Sequence, residues 1–203
     1  MSVPTVKGGT YLPGVEADPK PGVYRDLIEA ARARGSEYSH IWDLFAFQHD
    51  ITVHLARLSE GIIRHPSTIS VGMRELIAAY TSFRNECAFC TRAHAAAAGE
   101  LLGHQLVAAV LHDVETAPLD DKDRQMLRFA GRVTTELPAV TGADIDTLRA
   151  AGWDDEAIYF AISTCALFNF YNRWITASGV PEMSAESHAA QGRNIARNGY
   201  IRE

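Results

Sequence analysis

Apolar side chains recur at spacings of three, four and seven along most of this chain. No stretch between turn signals alternates apolar and polar residues with period two. A period near 3.6 buries one face of a helix, whereas period two buries one face of a strand. The spacing therefore predicts an all-α fold. One stripe is Ile41, Leu44, Phe45, Ile51, Leu55, Leu58, Ile62 and Ile63, capped by Ser39 and stopped before Pro66. Tyr24 to Arg34 is another, ending at Gly35. Ser67, Thr68 or Ser70 caps a third. Asp120 precedes Met126, Leu127, Ala130, Val133 and Leu137, and Thr141 opens a short helix ending near Gly152. Asp154 or Asp155 opens a long one, Glu156 to Ser178, closed by Gly179 and Pro181, and a weaker helix spans Ser184 to Arg197. The run from Ile158 to Phe168 is apolar on all sides, which is expected of a central helix or of one covered by another subunit.

Residues 1–22 hold Pro4, Pro13, Pro19 and Pro21 with four glycines, so no regular element is expected there. The chain divides into an extended lead-in (1–22), a helical domain (23–183) and a C-terminal helical tail (184–203). A length of 203 residues suits one domain with an appended segment. There are 19 basic and 25 acidic side chains, a formal charge of −6, with no basic block. That argues against a nucleic-acid or anionic-membrane partner. No apolar run approaches the roughly 18 residues of a membrane span. The start, Met1 to Thr10, lacks the apolar core of a secretory signal, so a cytoplasmic location is expected. Three cysteines are too few for a disulfide framework in a chain this long.

The chemistry is concentrated between Arg74 and His94. Cys87 and Cys90 form a C-x-x-C, His94 follows four residues after Cys90, and Ala93 and Ala95 to Ala98 make the region strongly helical. On a helix, positions i, i+3 and i+7 share a face, which puts Cys87, Cys90 and His94 in one row. Cysteines three apart have Cα atoms about 5 Å apart, within disulfide range. A thiol must ionise to act as a nucleophile. Asn85 as N-cap would put Cys87 in the first turn, where free amides favour the anion, while His94 is spaced to take a proton from Cys90. Arg84 and Arg92 can add positive potential. Glu75 lies twelve residues before Cys87. In one unbroken helix the two would be about 18 Å apart, whereas a turn near Arg84-Asn85 would fold Glu75 back toward the cysteines. A carboxylate there can relay protons to His94.

This segment resembles the alkylhydroperoxidase D-like (AhpD-like) branch of the carboxymuconolactone decarboxylase family. That branch carries a glutamate, a C-x-x-C twelve residues later and a histidine four after the second cysteine, and Glu75, Cys87, Cys90 and His94 match all four positions. Leu148 to Ile158 and Phe168 to Trp174 are similar to the family's following helix pair, so the likeness covers roughly residues 40 to 180. The resemblance implies an AhpD-like bundle of helical hairpins assembled as a homotrimer or homohexamer. It implies thiol peroxidase or disulfide oxidoreductase chemistry on hydroperoxides with no bound cofactor or metal, recharged by a lipoylated or thioredoxin-like dithiol protein. By resemblance Cys90 is the peroxidatic thiol, Cys87 the resolving one, and His94 with Glu75 the relay. The first-turn placement of Cys87 points instead to Cys87 as the more acidic thiol. Some relatives carry a histidine just before the second cysteine, where this chain has Phe89.

Two rival readings use the same residues. One is lactone decarboxylation, which needs proton transfer but no dithiol. The other is a structural zinc site on Cys87, Cys90 and His94 with Glu75 or His104. Cys165, in an apolar run, is expected to be structural, and the remaining histidines show no ligand-like clustering. Phe168, Phe170, Tyr171 and Trp174 are expected in the core or an interface, while Tyr80 and Phe83 are candidates to line a hydroperoxide pocket.

Overall fold

The computed structural model describes residues 8–202, which form eleven α-helices, one 3-10 turn and no strand. The helices are α1 (Pro13–Glu16), α2 (Val23–Ala33), α3 (Ile41–Phe47), α4 (His49–Arg64), α5 (Val71–Arg84), α6 (Ala88–Leu102), α7 (His104–His112), α8 (Asp121–Thr135), α9 (Gly142–Ala150), α10 (Asp155–Ser178) and α11 (Ala185–Asn198). The all-α expectation holds. Side chains of Ser70, Asp120, Asp154 and Ser184 cap α5, α8, α10 and α11 by accepting a backbone N–H, and Thr141 and Asp144 form a capping box on α9. Gly179 in the left-handed region ends α10.

Three local expectations need correction. The lead-in is not wholly irregular: Pro13 starts the single turn α1, its ring pre-set for a first helical position. Residues 1–7 of that segment lie outside the described residues. The stripe from Ile41 to Ile63 is two helices, opened at His40 with no side-chain cap from Ser39 and broken at Gln48, whose φ/ψ of −129°/58° is not helical. A further helix, α7, follows Gly103.

Helices α5 and α6 form the central hairpin. α10 packs on α5, α8 and α4, and α11 packs on α6. The last contact is close because Gly192 has no side chain: a Cβ there would come within 2.3 Å of the Ala96 Cβ. Two buried clusters result. One joins α5, α7, α8 and the first half of α10 around Leu76, Ile77, Met126 and Leu127. The other joins α2, α3, α6 and the second half of α10 around Ile28, Phe45, Phe89 and Phe168. Burying this apolar surface is the main source of stability. Helix α10 is central on one side, with Ala157, Ala161 and Cys165 fully buried, yet it leaves Tyr159 and Phe170 largely exposed. Among the described residues no helix is long and apolar enough to cross a membrane.

Candidate active site

The chain does turn at Arg84-Asn85. Asn85 ends α5, Glu86 adopts φ 56°, and Cys87 opens α6 as its N-cap. The Glu86 N–H reaches the Phe83 carbonyl and the Cys87 N–H the Ser82 carbonyl, both at 3.0 Å. These two bonds make a Schellman closure with a glutamate where glycine is usual. Asn85 is therefore not the cap of the cysteine helix. Its side-chain amide donates instead to Asn172 at 2.9 Å and Asn169 at 3.0 Å on α10. The restart of the helix at Ala88 leaves Cys87 extended, just outside the helical row, while Cys90 and His94 keep the i, i+4 relation inside it.

The hairpin returns Glu75 to the histidine. Glu75 is fully buried, and its Oε2 accepts from His94 Nδ1 at 2.8 Å. The ring of His94 meets Phe168 edge-on, with centroids 4.3 Å apart. Because a carboxylate accepts, the shared proton sits on Nδ1 and Nε2 is left as the basic nitrogen. Neither cysteine is a hydrogen-bond partner of His94; what His94 shares with Cys90 is a cavity. That cavity has a volume of about 80 Å³. A cavity of this size accommodates a few waters or a compact organic group. Its walls include Tyr24, Trp42, Phe45, Phe89, Phe168 and Tyr171. Tyr80 and Phe83, expected beside it, are elsewhere: Tyr80 is in the other core cluster and Phe83 is half-exposed. Of the four aromatics assigned to core or interface, Phe168 and Tyr171 line this cavity, while Phe170 and Trp174 line a separate apolar groove with Ile51, Leu55 and Leu58.

The two thiols are reduced and buried, and their environments differ. The pKa of Cys87 is lowered to about 6. The chief cause is the Cys90 thiol directed at its sulfur, opposed by burial and reinforced by the Cys90 amide and the side chains of Thr176 and Asn172. The pKa of Cys90 is raised well above the usual thiol value, because its proton is committed to Cys87 and because it is desolvated. The pair thus behaves as one acid whose first proton leaves near pH 6 and whose second is held far above. Alkylation of the dithiol is expected to rise through about pH 6 to a plateau, with Cys87 labelled first. Mass spectrometry of iodoacetamide-treated protein from pH 4.5 to 9 checks this, and a midpoint near the ordinary thiol value would contradict it. Cys165 is fully buried and its pKa is raised to about 12 by desolvation, which makes it inert.

Ligand atoms of Cys87, Cys90, His94 and Glu75 do not gather within 4.8 Å of one another; among the described residues only Glu16, His40 and Asp43 do. That departs from the expectation that the other histidines form no cluster, and it arises because α1 brings Glu16 beside α3. Asp43 there already accepts from His40 Nδ1 at 2.9 Å and from the Tyr38 hydroxyl at 3.3 Å. Arg84 is bound to Tyr80 and Thr135 and Arg92 to Glu182, so both cations have partners.

Several residues of the site had no signal in the sequence. Asn172 is buried beneath the sulfurs and donates to Ser82 at 2.9 Å. His188 on α11 stands edge-on to Phe89 at 5.5 Å. Tyr200, beyond α11, donates from its hydroxyl to Glu75 Oε1 at 2.8 Å. None lies at a helical spacing from the C-x-x-C, so only the packing of α10 and α11 brings them in.

No protein-family model and no curated protein matches the chain. Solved structures do. An uncharacterized peroxidase-related protein from Silicibacter sp. TM1040 is 29% identical, covers 93% of this chain and 97% of its own, and superposes with a TM-score of 0.75. An uncharacterized peroxidase-related protein from Ralstonia eutropha JMP134, described as an alkylhydroperoxidase AhpD core, is 23% identical over 93% of this chain and 98% of its own, with a TM-score of 0.73. The debrominase Bmp8 shares the fold at 20% identity, over 89% of this chain and 92% of its own, with a TM-score of 0.64. Built over nearly its whole described length like these peroxidase-related proteins, the chain has the AhpD-like fold.

Proposed function

We propose that the protein is a thiol-dependent peroxidase that reduces organic hydroperoxides at Cys90, with Cys87 as resolving thiol. The observation that carries this reading is that Cys90 and His94 face one aromatic-walled cavity while Glu75 backs His94 from the buried side. The likeness to peroxidase-related proteins supports the same class of chemistry. A proton shared between the sulfurs supports a nucleophilic Cys90 beside a more acidic Cys87. At neutral pH the pair carries one proton between its sulfurs, and passing it from Cys90 to Cys87 moves the negative charge to the sulfur that faces the cavity.

The steps balance as follows. His94 Nε2 takes the proton lost by the dithiol. The Cys90 thiolate attacks the terminal peroxide oxygen; an S–O bond forms, the O–O bond breaks, and the alkoxide leaves with the proton held by His94 as an alcohol. Cys87 then attacks the sulfenic sulfur of Cys90, forming the disulfide and releasing water that carries off the Cys87 proton. The peroxide is reduced by two electrons and the dithiol oxidised by two. A lipoylated or thioredoxin-like dithiol protein returns the electrons, in a reducing cytoplasm. Exposed Ile51, Leu58, Tyr159 and Phe170 support the homotrimer or homohexamer that the resemblance implies.

The test is hydroperoxide-dependent thiol oxidation in single-cysteine variants. Cys90→Ser is expected to abolish it, and Cys87→Ser to stop at a Cys90 sulfenic acid that dimedone traps. Turnover by Cys90→Ser at the wild-type rate would refute the mechanism, and lactone decarboxylation insensitive to alkylation would put the decarboxylase reading in its place.

A further inference from the structure

The carboxylate of Glu75 has two faces. Oε2 holds His94, and Oε1 accepts from the Tyr200 hydroxyl at 2.8 Å, with the Arg64 guanidinium 3.8 Å away. The Tyr200 ring lies nearly parallel to His94, at 15° and 6.2 Å between centroids, and its hydroxyl is 3.4 Å from His94 Nδ1. Tyr200 also lines the cavity that Cys90 faces. Helix α4 fixes it there. Glu60 accepts from the Tyr200 amide at 2.7 Å, and Arg64 donates to the carbonyls of Ile195 and Ala196 at the end of α11. Gly199, at φ 69°, turns the chain inward, and a Cβ there would strike the Glu60 carboxylate at 2.3 Å.

We propose that Tyr200 is a positioning residue of the proton relay. Its hydroxyl holds Glu75 in the one orientation that keeps the His94 proton on Nδ1 and leaves Nε2 free to work. This rests on the dithiol peroxidase reading above. A carboxylate held by a single donor can rotate about its last bond, and a histidine whose acceptor moves samples both tautomers. Two donors on opposite oxygens remove that freedom before substrate arrives, which is how positioning residues contribute to catalysis. Burial and the Glu75 charge raise the pKa of Tyr200, so it remains a donor throughout the working range. The other charged or titratable groups around the cluster are Arg64 and Glu60 from α4, Arg74 beside Glu75 on α5, Cys90 on α6, Tyr171 on α10, Tyr24 on α2 and Arg202 at the cavity wall.

Tyr200→Phe tests this, because it keeps the ring and removes only the donor. Expected are a lower kcat, by about tenfold, with KM for the hydroperoxide unchanged. The ¹⁵N shifts of the His94 ring should pass from a single Nδ1–H tautomer to a mixture. Unchanged ring shifts would reduce Tyr200 to packing and overturn the proposal. The ring shifts need no turnover, so this outcome is separate from failure of the peroxidase reading, which Cys90→Ser reports. Should Tyr200→Phe not fold, Glu60→Gln loosens the Tyr200 amide while keeping the phenol. A smaller tautomer change of the same kind then supports the proposal, and none overturns it.

Discussion

Glu75→Ala is expected to cost about 3–5 kcal/mol of stability and to lower hydroperoxide turnover by about 10²–10⁴-fold. Glu75 has no exposed surface and accepts from His94 and Tyr200, with Arg64 close by. Truncation leaves those buried donors without their acceptor, and the penalty is their desolvation rather than the worth of the bonds. In a chain of this size that corresponds to a fall in Tm of roughly 6–20 °C. Glu75→Gln separates the two consequences. The amide fills the same space and can still accept from one neighbour, so stability returns in part while turnover stays low, because the neutral group cannot stabilise a protonated His94. Thermal unfolding with peroxide-dependent thiol oxidation on both variants is the measurement. A Glu75→Ala protein within 1 kcal/mol of wild type would contradict the burial argument.

Phe168→Ala is expected to remove about 3–5 kcal/mol as well, by a different route. Phe168 is 1% exposed, sits in the cluster that contains Cys90, and packs edge-on against His94. Deleting the ring forfeits its transfer free energy and leaves a hole that α10, anchored along its length to α5 and α8, can collapse into only partly. The hole opens into the cavity of about 80 Å³. The variant should therefore gain on bulky aryl hydroperoxides relative to hydrogen peroxide, even as its absolute rates fall with the loosened His94. Chemical denaturation gives the first quantity and the ratio of cumene hydroperoxide to hydrogen peroxide turnover the second. An unchanged ratio would mean that the cavity is not where the substrate sits.

Much of this architecture could be read from residue order, and the exceptions share a cause. Helical spacing, Asp120 and Gly179 mark elements and ends correctly, and Ser70 and Asp154 are the caps among the alternatives the sequence left open, because caps and amphipathic stripes depend on neighbours three and four residues away. The turn between Glu75 and Cys87 was one of two open choices. It is made by Glu86 in a left-handed conformation that glycine usually adopts, so no glycine announced it. Asn85 suited an N-cap by type, yet it serves α10, because the helix restarts two residues later than its position suggested. The break at Gln48 likewise carried no proline or glycine.

The order of residues by itself determined an all-helical chain and placed a dithiol, a histidine four residues on and a glutamate twelve residues before within one short segment. Those relations are local, and local backbone geometry is enough to fix them. Only the tertiary structure decided that Cys90 rather than Cys87 looks into a cavity, that the Cys90 thiol is the chief group holding the Cys87 pKa down, and that a tyrosine 125 residues beyond Glu75 completes its hydrogen bonds. Desolvation, cavity walls and donors arriving from distant helices depend on how α10 and α11 pack. That packing is set by the summed burial of surfaces far apart in the chain, which no short window of sequence contains.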